Sequence, residues 1–392
     1  MKLYTPAMLR NIRSQCLRST STLCATLSTA SSHSANRVKL VEVGPRDGLQ
    51  NEKALLSTDL KVGLIERLVK AGMRDVEAGS FVHPKWMAST PEVLTSQILD
   101  RLRKTHPDLS LPVLVPNSKG LSSLLALQSS HPSSSPSLTT EIAVFVSASE
   151  SFSKANLNTS ISSSLAALES VFSSAREHSL RVRGYVSVVL GCPFEGKLEP
   201  EKPAEVAKTL LDMGAYEVSL GDTVGVGVPS GWERLLNECE RGGVGVDKLA
   251  AHCHDTYGTA IANVLHCVSL GVRTIDSSIA ALGGCPYSPG ATGNVSTEDV
   301  LYALSLSGVS TTALPDLAPG EVPEDLLALV SQLGQEGKTA RQKKFEELCE
   351  VGKWVSERLG RENGSGVGRA VEGKKRRARE KVEKEKGGKA KL

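Results

Sequence analysis

Several common sequence features are missing from this chain of 392 residues, and each absence removes a class of protein. No run of eighteen apolar residues occurs, so no segment is predicted to cross a membrane as a helix. The eight cysteines include no C-x-x-C pair, which excludes a zinc finger and favours a reducing compartment. Aromatic residues make up only 4%, whereas 40% hydrophobic and 23% charged residues are typical of a globular protein.

Acidic residues are absent from the first 37 positions, where five Lys and Arg residues give a charge of +5. Residues 369–392 carry eleven Lys and Arg against four Glu, a charge of +7. Because the whole chain carries +3, the residues between these two ends carry −9. An acidic body argues against a nucleic-acid-binding surface, so no nucleic-acid partner is predicted.

The acid-free N-terminus is also rich in Ser, Thr, Leu and Ala, as mitochondrial transit peptides are. We predict that residues 1–37 form a disordered transit peptide and that the protein acts in the mitochondrial matrix. An untargeted disordered N-terminus is the alternative. The last three residues, Ala390-Lys391-Leu392, are close to the S-K-L peroxisomal signal and predict a second, peroxisomal pool.

Short β-branched or apolar runs alternate with segments of helical periodicity over residues 38–310, which is typical of parallel α/β folds. The predicted strands are 38–43, 74–78, 112–115, 141–146, 182–189, 215–220, 248–252 and 272–277. Helical patterns lie between them, and several end at a glycine. Eight β/α units over about 270 residues predict a (β/α)8 TIM barrel, with a doubly wound open sheet as the alternative.

The pattern changes after the predicted barrel. Residues 311–371 are predicted to form a Pro-rich linker and then amphipathic helices at 324–334 and 340–359, which pack on the barrel. Residues 372–392 consist mostly of Lys, Arg and Glu and are predicted to form a basic disordered tail.

Ionisable residues recur where predicted strands end, which is where a TIM barrel carries its catalytic groups. The first strand runs into Gly44-Pro45-Arg46-Asp47-Gly48, the second ends in Glu77, and the seventh runs into His252-Cys253-His254. Two His residues two positions apart share one face of a strand. Together with Asp47 they predict a site for Mg²⁺ or Mn²⁺, and Zn²⁺ stays open on ligand type alone.

The glycine-rich loop after the eighth predicted strand, GGCPYSPGATGN, carries Cys285 and ends at Asn294. A thiol in such a loop is a candidate acid or base, and Cys192 in GCPFEG is the competing candidate. Asn294 either supplies an amide oxygen to the metal or caps the following helix. Thr223, at the end of the sixth strand, is predicted to line the same mouth.

Six segments in this order resemble the 3-hydroxy-3-methylglutaryl-CoA (HMG-CoA) lyase family. They are VEVGPRDGLQNEK (41–53), VEAGSFVHPKW (76–86), RGYVSVVLGCPFEGK (183–197), SLGDTVGVG (219–227), HCHDTYG (252–258) and GGCPYSPGATGN (283–294). The similarity extends over residues 37–371. It implies a barrel with added C-terminal helices that cleaves (S)-HMG-CoA to acetyl-CoA and acetoacetate with Mg²⁺ or Mn²⁺, as a homodimer.

The resemblance also implies roles for individual residues. Four match metal ligands: Asp47, His252, His254 and Asn294. Three match other catalytic groups: Arg46 as the enolate-stabilising cation, Glu77 as a carboxylate of the site, and Cys285 as the loop acid or base. Three are expected to contact the acyl-CoA substrate: Arg46, Ser219 and Thr223. Asp47 and His252 are alternatives for accepting the substrate's hydroxyl proton.

One departure from the family pattern is a shorter loop after Trp86, which bears on acyl-group specificity. A condensing enzyme similar to isopropylmalate or homocitrate synthase is the alternative, because those enzymes share the Arg-Asp-Gly and His-x-His segments. They lack the Cys285 loop. The third hypothesis is a barrel that has lost its activity and acts through its basic tail.

Overall fold

The computed structural model describes residues 37–50, 52, 56–82, 92–107, 109, 111–131, 137–284, 293–314 and 339–389. Six sequence predictions fall outside these ranges: residues 1–36 of the transit peptide, the short loop after Trp86, Cys285, the Pro-rich linker beyond residue 314, the helix at 324–334, and the terminal Ala390-Lys391-Leu392.

Eleven strands lie in the described residues, and nine of them form one parallel sheet in the order β2-β1-β11-β10-β9-β6-β5-β4-β3. The strands are β1 (Lys39–Glu42), β2 (Asp75–Val76), β3 (Gly79–Ser80), β4 (Val113–Leu114), β5 (Glu141–Ser147), β6 (Arg181–Ser187), β7 (Gly191–Cys192), β8 (Gly196–Lys197), β9 (Glu217–Asp222), β10 (Leu249–Cys253) and β11 (Thr274–Ser277). The remaining pair, β7 and β8, forms a small antiparallel ribbon after β6.

The sheet closes through β2 and β3, which are two halves of one barrel strand. β2 pairs with β1, whereas β3 pairs with β4 at the other edge of the sheet. Only Glu77 and Ala78 separate the halves, and their amides donate to Glu42 (3.0 Å) and Pro112 (2.9 Å) on the two neighbouring sides. The result is an eight-stranded parallel barrel, so the TIM-barrel prediction is confirmed and the open sheet is excluded.

Eleven α-helices lie in the described residues, most of them following a strand around the barrel. They are α1 (Thr58–Ala71), α2 (Glu92–Thr105), α3 (Ser118–Ser129), α4 (Glu150–Leu157), α5 (Ile161–Glu177), α6 (Glu201–Met213), α7 (Pro229–Arg241), α8 (Ala260–Ser269), α9 (Thr297–Leu306), α10 (Ala340–Leu359) and α11 (Gly366–Lys389). Gly72 and Gly214 end α1 and α6 with φ of 113° and 114°, as predicted for helix stops. None of these described helices has the length and apolarity needed to cross a membrane.

The barrel has two kinds of interior. Apolar side chains such as Leu64, Val144 and Leu210 are fully buried in a core cluster that includes residues of both strands and helices. Inside the barrel, Arg183 of β6 contacts Asp276 of β11, although these strands are not neighbours in the sheet. The interior of the barrel is therefore partly charged, and this affects the site above it.

The basic segment from 372 onward differs from its prediction as a disordered tail, since α11 continues through it to Lys389. Lys, Arg, Glu and Ala are strong helix formers. The helix is also anchored, because Asp299 accepts hydrogen bonds from the Gly366 and Val367 amides in its first turn. Further along, Lys375 pairs with Glu350 of α10 at 2.8 Å. These contacts fasten α11 to the body.

Candidate active site

A cavity of about 460 Å³ opens at the carboxyl ends of the barrel strands. Its lining includes five residues predicted from sequence, namely Arg46, Asp47, Thr223, His252 and His254. It also includes Tyr185, which was not predicted. Since these side chains come from separate segments of the chain, the closed barrel is what brings them together. The location is the one where TIM barrels carry their chemistry.

Asp47, His252 and His254 form a cluster whose potential ligand atoms all lie within 4.8 Å of one another. His252 and His254 come from the end of β10, and their Nε2 atoms are 3.2 Å apart. Asp47 lies on a π-helical turn, Gly44–Gly48, that follows β1 and extends past the intervening β11. Its Oδ2 is 4.0 Å from His252 Nε2.

The chemistry of this donor set fits a divalent cation. Two imidazole nitrogens that face each other at 3.2 Å, with a carboxylate beside them, place three ligand atoms around one point. Mixed nitrogen and oxygen donors are suited to Mg²⁺, Mn²⁺ or Zn²⁺. The predicted clustering of Asp47 with the two His residues is therefore present in the structure.

Asn294 lies beside the same cluster. A backbone bridge pairs it with His254, and its amide nitrogen donates to Asp47 Oδ2 at 2.8 Å and to the Leu282 carbonyl at 3.2 Å. Because the nitrogen makes both bonds, the amide oxygen is the candidate ligand atom of Asn294. The helix-capping alternative does not match the structure, since Ser296 caps α9 by accepting from the Asp299 amide.

Arg46 is a buried cation held between two carboxylates. Its Nε donates to Glu77 Oε2 at 2.7 Å, and its Nη1 donates to Asp47 Oδ1 at 2.8 Å. Burial opposes the charge, but Glu77 and then Asp47 raise the pKa of Arg46 above its ordinary value. The side chain is 5% exposed and lines the cavity, so it presents a fixed positive charge there.

Glu77, predicted as a catalytic-site carboxylate, does not line the cavity in this structure. It is fully buried, with Oε2 on Arg46 and Oε1 accepting from the Tyr185 hydroxyl at 2.7 Å. The position therefore makes Glu77 a residue that orients Arg46. Strand geometry explains the difference, because Glu77 lies at the closure between β2 and β3.

The three clustered groups have shifted pKa values. Burial would raise the pKa of Asp47, but Arg46 and then His252 and His254 hold it below its ordinary value. Burial would lower the pKa of His252, but the hydrogen bond that its Nδ1 donates to the Asp276 carboxylate raises it. Burial and the neighbouring His252 lower the pKa of His254 to about 4. At neutral pH the site thus holds an ionised Asp47 and a neutral His254.

Ser219 and Thr223 on and after β9 have different positions, although both were predicted to contact substrate. Thr223 lines the cavity, and its Oγ1 accepts from the amide of Val188 at 2.9 Å. Ser219 is fully buried below the cavity, and its hydroxyl donates to Asp276 Oδ2 at 2.7 Å. The structure therefore corrects the prediction for Ser219: its side chain supports the barrel interior instead of facing the substrate cavity.

Cys192, the competing thiol, is buried with its Sγ 3.0 Å from Ser149 Oγ, and it lines a neighbouring groove. Cys285 lies outside the described residues. The two residues before it, Gly283 and Gly284, line the cavity that holds the cluster. The loop that carries Cys285 thus begins at the site.

Three buried residues of the site were not predicted from sequence: Arg183, Tyr185 and Asp276. Arg183 and Tyr185 are two positions apart on β6, so they share one face, and the Arg183 Nη1 donates to the Tyr185 hydroxyl at 2.5 Å. The sequence feature that could have revealed them is the charge of Arg183 inside an otherwise apolar strand, because a buried charge is rare unless it is paired. Together these residues link the cluster to Arg46 beneath the cavity.

The fold and the cluster define the class of the chain, a (β/α)8-barrel protein with a candidate divalent-metal centre at the carboxyl ends of its strands. The sequence model of the HMGL-like family matches residues 37–317. The chain belongs to the HMGL-like family.

Named relatives agree with this assignment. The chain is 48% identical over 275 residues to the mitochondrial hydroxymethylglutaryl-CoA lyase of Bos taurus, covering 70% of this chain and 80% of the relative. It is 46% identical over 274 residues to the cytoplasmic 3-hydroxy-3-methylglutaryl-CoA lyase of Rattus norvegicus, covering 70% and 76%. Hydroxymethylglutaryl-CoA lyase from Pseudomonas aeruginosa superposes with a TM-score of 0.73 at 39% identity, covering 86% of this chain and 98% of that chain.

Proposed function

We propose that this protein is a metal-dependent carbon–carbon lyase that cleaves (S)-HMG-CoA to acetyl-CoA and acetoacetate. The observation that carries the proposal is the cluster of Asp47, His252 and His254 beside the buried cation Arg46 in one cavity. The activity named for the relatives supports it.

The cavity suits an acyl-CoA with a polar head. Polar groups, among them Arg46, Asp47 and the two His residues, lie on its wall, and apolar side chains such as Val82, Leu114 and Phe145 form another part of it. A substrate carboxylate and hydroxyl would bind among the polar groups, and the acyl carbons would contact the apolar side chains.

Asp47, His252, His254 and Asn294 would hold the cation, and their nitrogen and oxygen donors favour Mg²⁺ or Mn²⁺. When bound, a divalent cation supplies Lewis-acid chemistry that acidifies the substrate hydroxyl, an effect of roughly several kcal/mol.

The chain's own groups account for the proton and charge movements. Asp47 accepts the C3 hydroxyl proton, because both nitrogens of His252 would be engaged, Nδ1 by Asp276 and Nε2 by the cation. The O–H electron pair becomes the C=O bond of acetoacetate. The C2–C3 electron pair then moves onto the thioester and gives the enolate of acetyl-CoA. Arg46 faces this developing negative charge as a fixed cation, which is most effective in a buried site.

The last step is proton addition to C2 of the enolate, which yields acetyl-CoA. We assign this proton to the Cys285 thiol, because the loop that carries it starts at Gly283 and Gly284 on the cavity wall. The thiolate then recovers a proton from solvent.

Replacing Cys285 by Ser should lower kcat by roughly 10²- to 10⁴-fold, because a hydroxyl is a much weaker acid than a thiol in proton transfer to carbon. Mn²⁺ affinity should stay within twofold of wild type, since sulfur is not among the proposed ligands. Steady-state kinetics and equilibrium dialysis measure the two quantities. Cys239→Ser, at a buried thiol of α7, is the matched control and should keep wild-type kcat. An unchanged kcat in Cys285→Ser would remove the thiol from the reaction.

Cleavage and condensation can be separated directly. The protein is assayed for acetoacetate from HMG-CoA and, in parallel, for free thiol released from acetyl-CoA plus a 2-oxo acid. We expect product only in the first assay. Thiol release that depends on the 2-oxo acid would instead assign the condensing reaction.

For location and assembly, we propose a mitochondrial matrix protein that forms homodimers, with a peroxisomal fraction directed by Ala390-Lys391-Leu392. Relatives named as mitochondrial support the first part. Fusing residues 1–37 to a fluorescent reporter should direct it to mitochondria, and changing the five basic residues of that segment to Gln should leave it in the cytosol. Cytosolic fluorescence from the unaltered fusion would contradict the targeting.

A further inference from the structure

Asp276 lies directly beneath the cluster, on the side of His252 that faces away from Asp47. Its Oδ2 is 3.2 Å from His252 Nδ1, while His252 Nε2 faces His254. The contact follows from the barrel, because His252 and Asp276 are register partners on the neighbouring parallel strands β10 and β11. Register partners on neighbouring strands project to the same face.

The Asp276 carboxylate is held from below by two further residues. Arg183, from β6 across the barrel, donates from Nη2 to Oδ1 at 2.8 Å and from Nη1 to Oδ2 at 3.3 Å. Ser219 of β9 donates to Oδ2 at 2.7 Å. Asp276 is 1% exposed, so these protein groups fix its position.

The groups that donate to Asp276 determine which ring nitrogen of His252 carries the hydrogen. A carboxylate paired with a guanidinium only accepts hydrogen bonds, so the hydrogen between Asp276 and His252 belongs to Nδ1. In the neutral ring Nε2 then carries the lone pair, and Nε2 is the atom that points at the cluster. An acceptor behind a ligating imidazole both orients the ring and strengthens it as a ligand.

We propose that Asp276 is a positioning residue that fixes the orientation and tautomer of His252 and thereby sets the affinity of the site for its divalent cation. This inference rests on the proposed metal centre. Asp276 acts through His252 and does not itself touch the substrate or the cation.

A purely structural role for Asp276 is the competing explanation, because it neutralises the buried Arg183. Glu217 provides the matched control. Its Oε1 accepts from Arg183 Nε at 2.7 Å, so it pairs with the same guanidinium at another nitrogen, and it has no contact with His252 among the described hydrogen bonds and ion pairs. Loss of Glu217 perturbs Arg183 and leaves the Asp276–His252 contact in place.

The test measures Mn²⁺ dissociation constants of the full chain without substrate, by electron paramagnetic resonance of free Mn²⁺. Asp276→Asn should bind Mn²⁺ roughly 10- to 100-fold more weakly than wild type. Glu217→Gln should lower Tm but bind Mn²⁺ within twofold of wild type. Equal affinities in wild type and folded Asp276→Asn, or equal weakening in both variants, would overturn the proposal.

A second measurement is made on the wild-type protein, so its result does not depend on whether a variant still binds metal. Nitrogen-15 NMR of histidine-labelled wild-type protein saturated with Mg²⁺ reports which nitrogen of each ring carries hydrogen, and the His252 signals are those lost in His252→Asn. We expect hydrogen on Nδ1 of His252, and hydrogen on Nε2 would refute the proposal. If wild type binds metal as expected but cleaves no HMG-CoA, only the proposed reaction fails.

Discussion

Replacing Arg46 by Gln should lower kcat for HMG-CoA cleavage by roughly 10²- to 10³-fold, the usual cost of removing one group that stabilises a developing anion. Glutamine keeps some of the hydrogen bonding but removes the positive charge that faces the enolate. Steady-state kinetics at saturating Mn²⁺ measures the loss. Because Arg46 also pairs with Asp47, the dissociation constant for Mn²⁺ is measured in the same protein.

The Arg46→Gln variant also leaves the fully buried Glu77 without its cation, and breaking a buried pair destabilises a protein by about 3–5 kcal/mol. The double variant Arg46→Gln, Glu77→Gln separates the two effects, since it removes both charges. Its Tm should rise above that of the single variant, whereas kcat should stay as low. Recovery of kcat in the double variant would mean that Arg46 acts only on the fold.

His254→Ala should weaken Mn²⁺ binding by at least about 10²-fold and abolish activity at micromolar metal, because it removes one of three clustered ligand atoms. Equilibrium dialysis gives the affinity, and a metal titration of the activity gives the functional counterpart. His178→Ala is the matched control, because His178 is an exposed residue at the end of α5. Wild-type affinity in His254→Ala would exclude the two-histidine centre.

The barrel could be predicted because its evidence is local. Each strand is a short apolar run, each helix carries its own periodicity, and Gly72 and Gly214 mark helix ends by a backbone conformation that favours glycine. The clustering of Asp47 with His252 was predictable for a related reason. Parallel strands place their carboxyl ends at one end of the barrel, so residues after different strands meet there.

The support beneath the cluster could not be predicted in the same way. Strand alternation indicates that Arg183 and Tyr185 share a face, but it does not identify the partners across a closed barrel. Arg183 meets Asp276 only because β6 and β11 face each other through the interior. The same limit explains the wrong prediction for Ser219. This residue lies close to cavity residues in sequence, but its hydroxyl bonds to Asp276 below the cavity.

The course of α11 was mispredicted for another reason. A run of Lys, Arg and Glu is equally compatible with a solvated coil and with an exposed helix, since neither buries much apolar surface. The helix depends on tertiary contacts that composition does not reveal, namely the Asp299 cap in its first turn and the Lys375–Glu350 pair.

The most direct test of the central claim is the yield of acetoacetate and acetyl-CoA from HMG-CoA with metal-stripped protein, before and after addition of Mn²⁺ or Mg²⁺. We predict no product from the stripped protein, and equal amounts of both products once either ion is restored. Product formation that is indifferent to chelation, or its absence from folded protein shown to bind Mn²⁺, would contradict a metal-dependent cleavage centred on Asp47, His252 and His254.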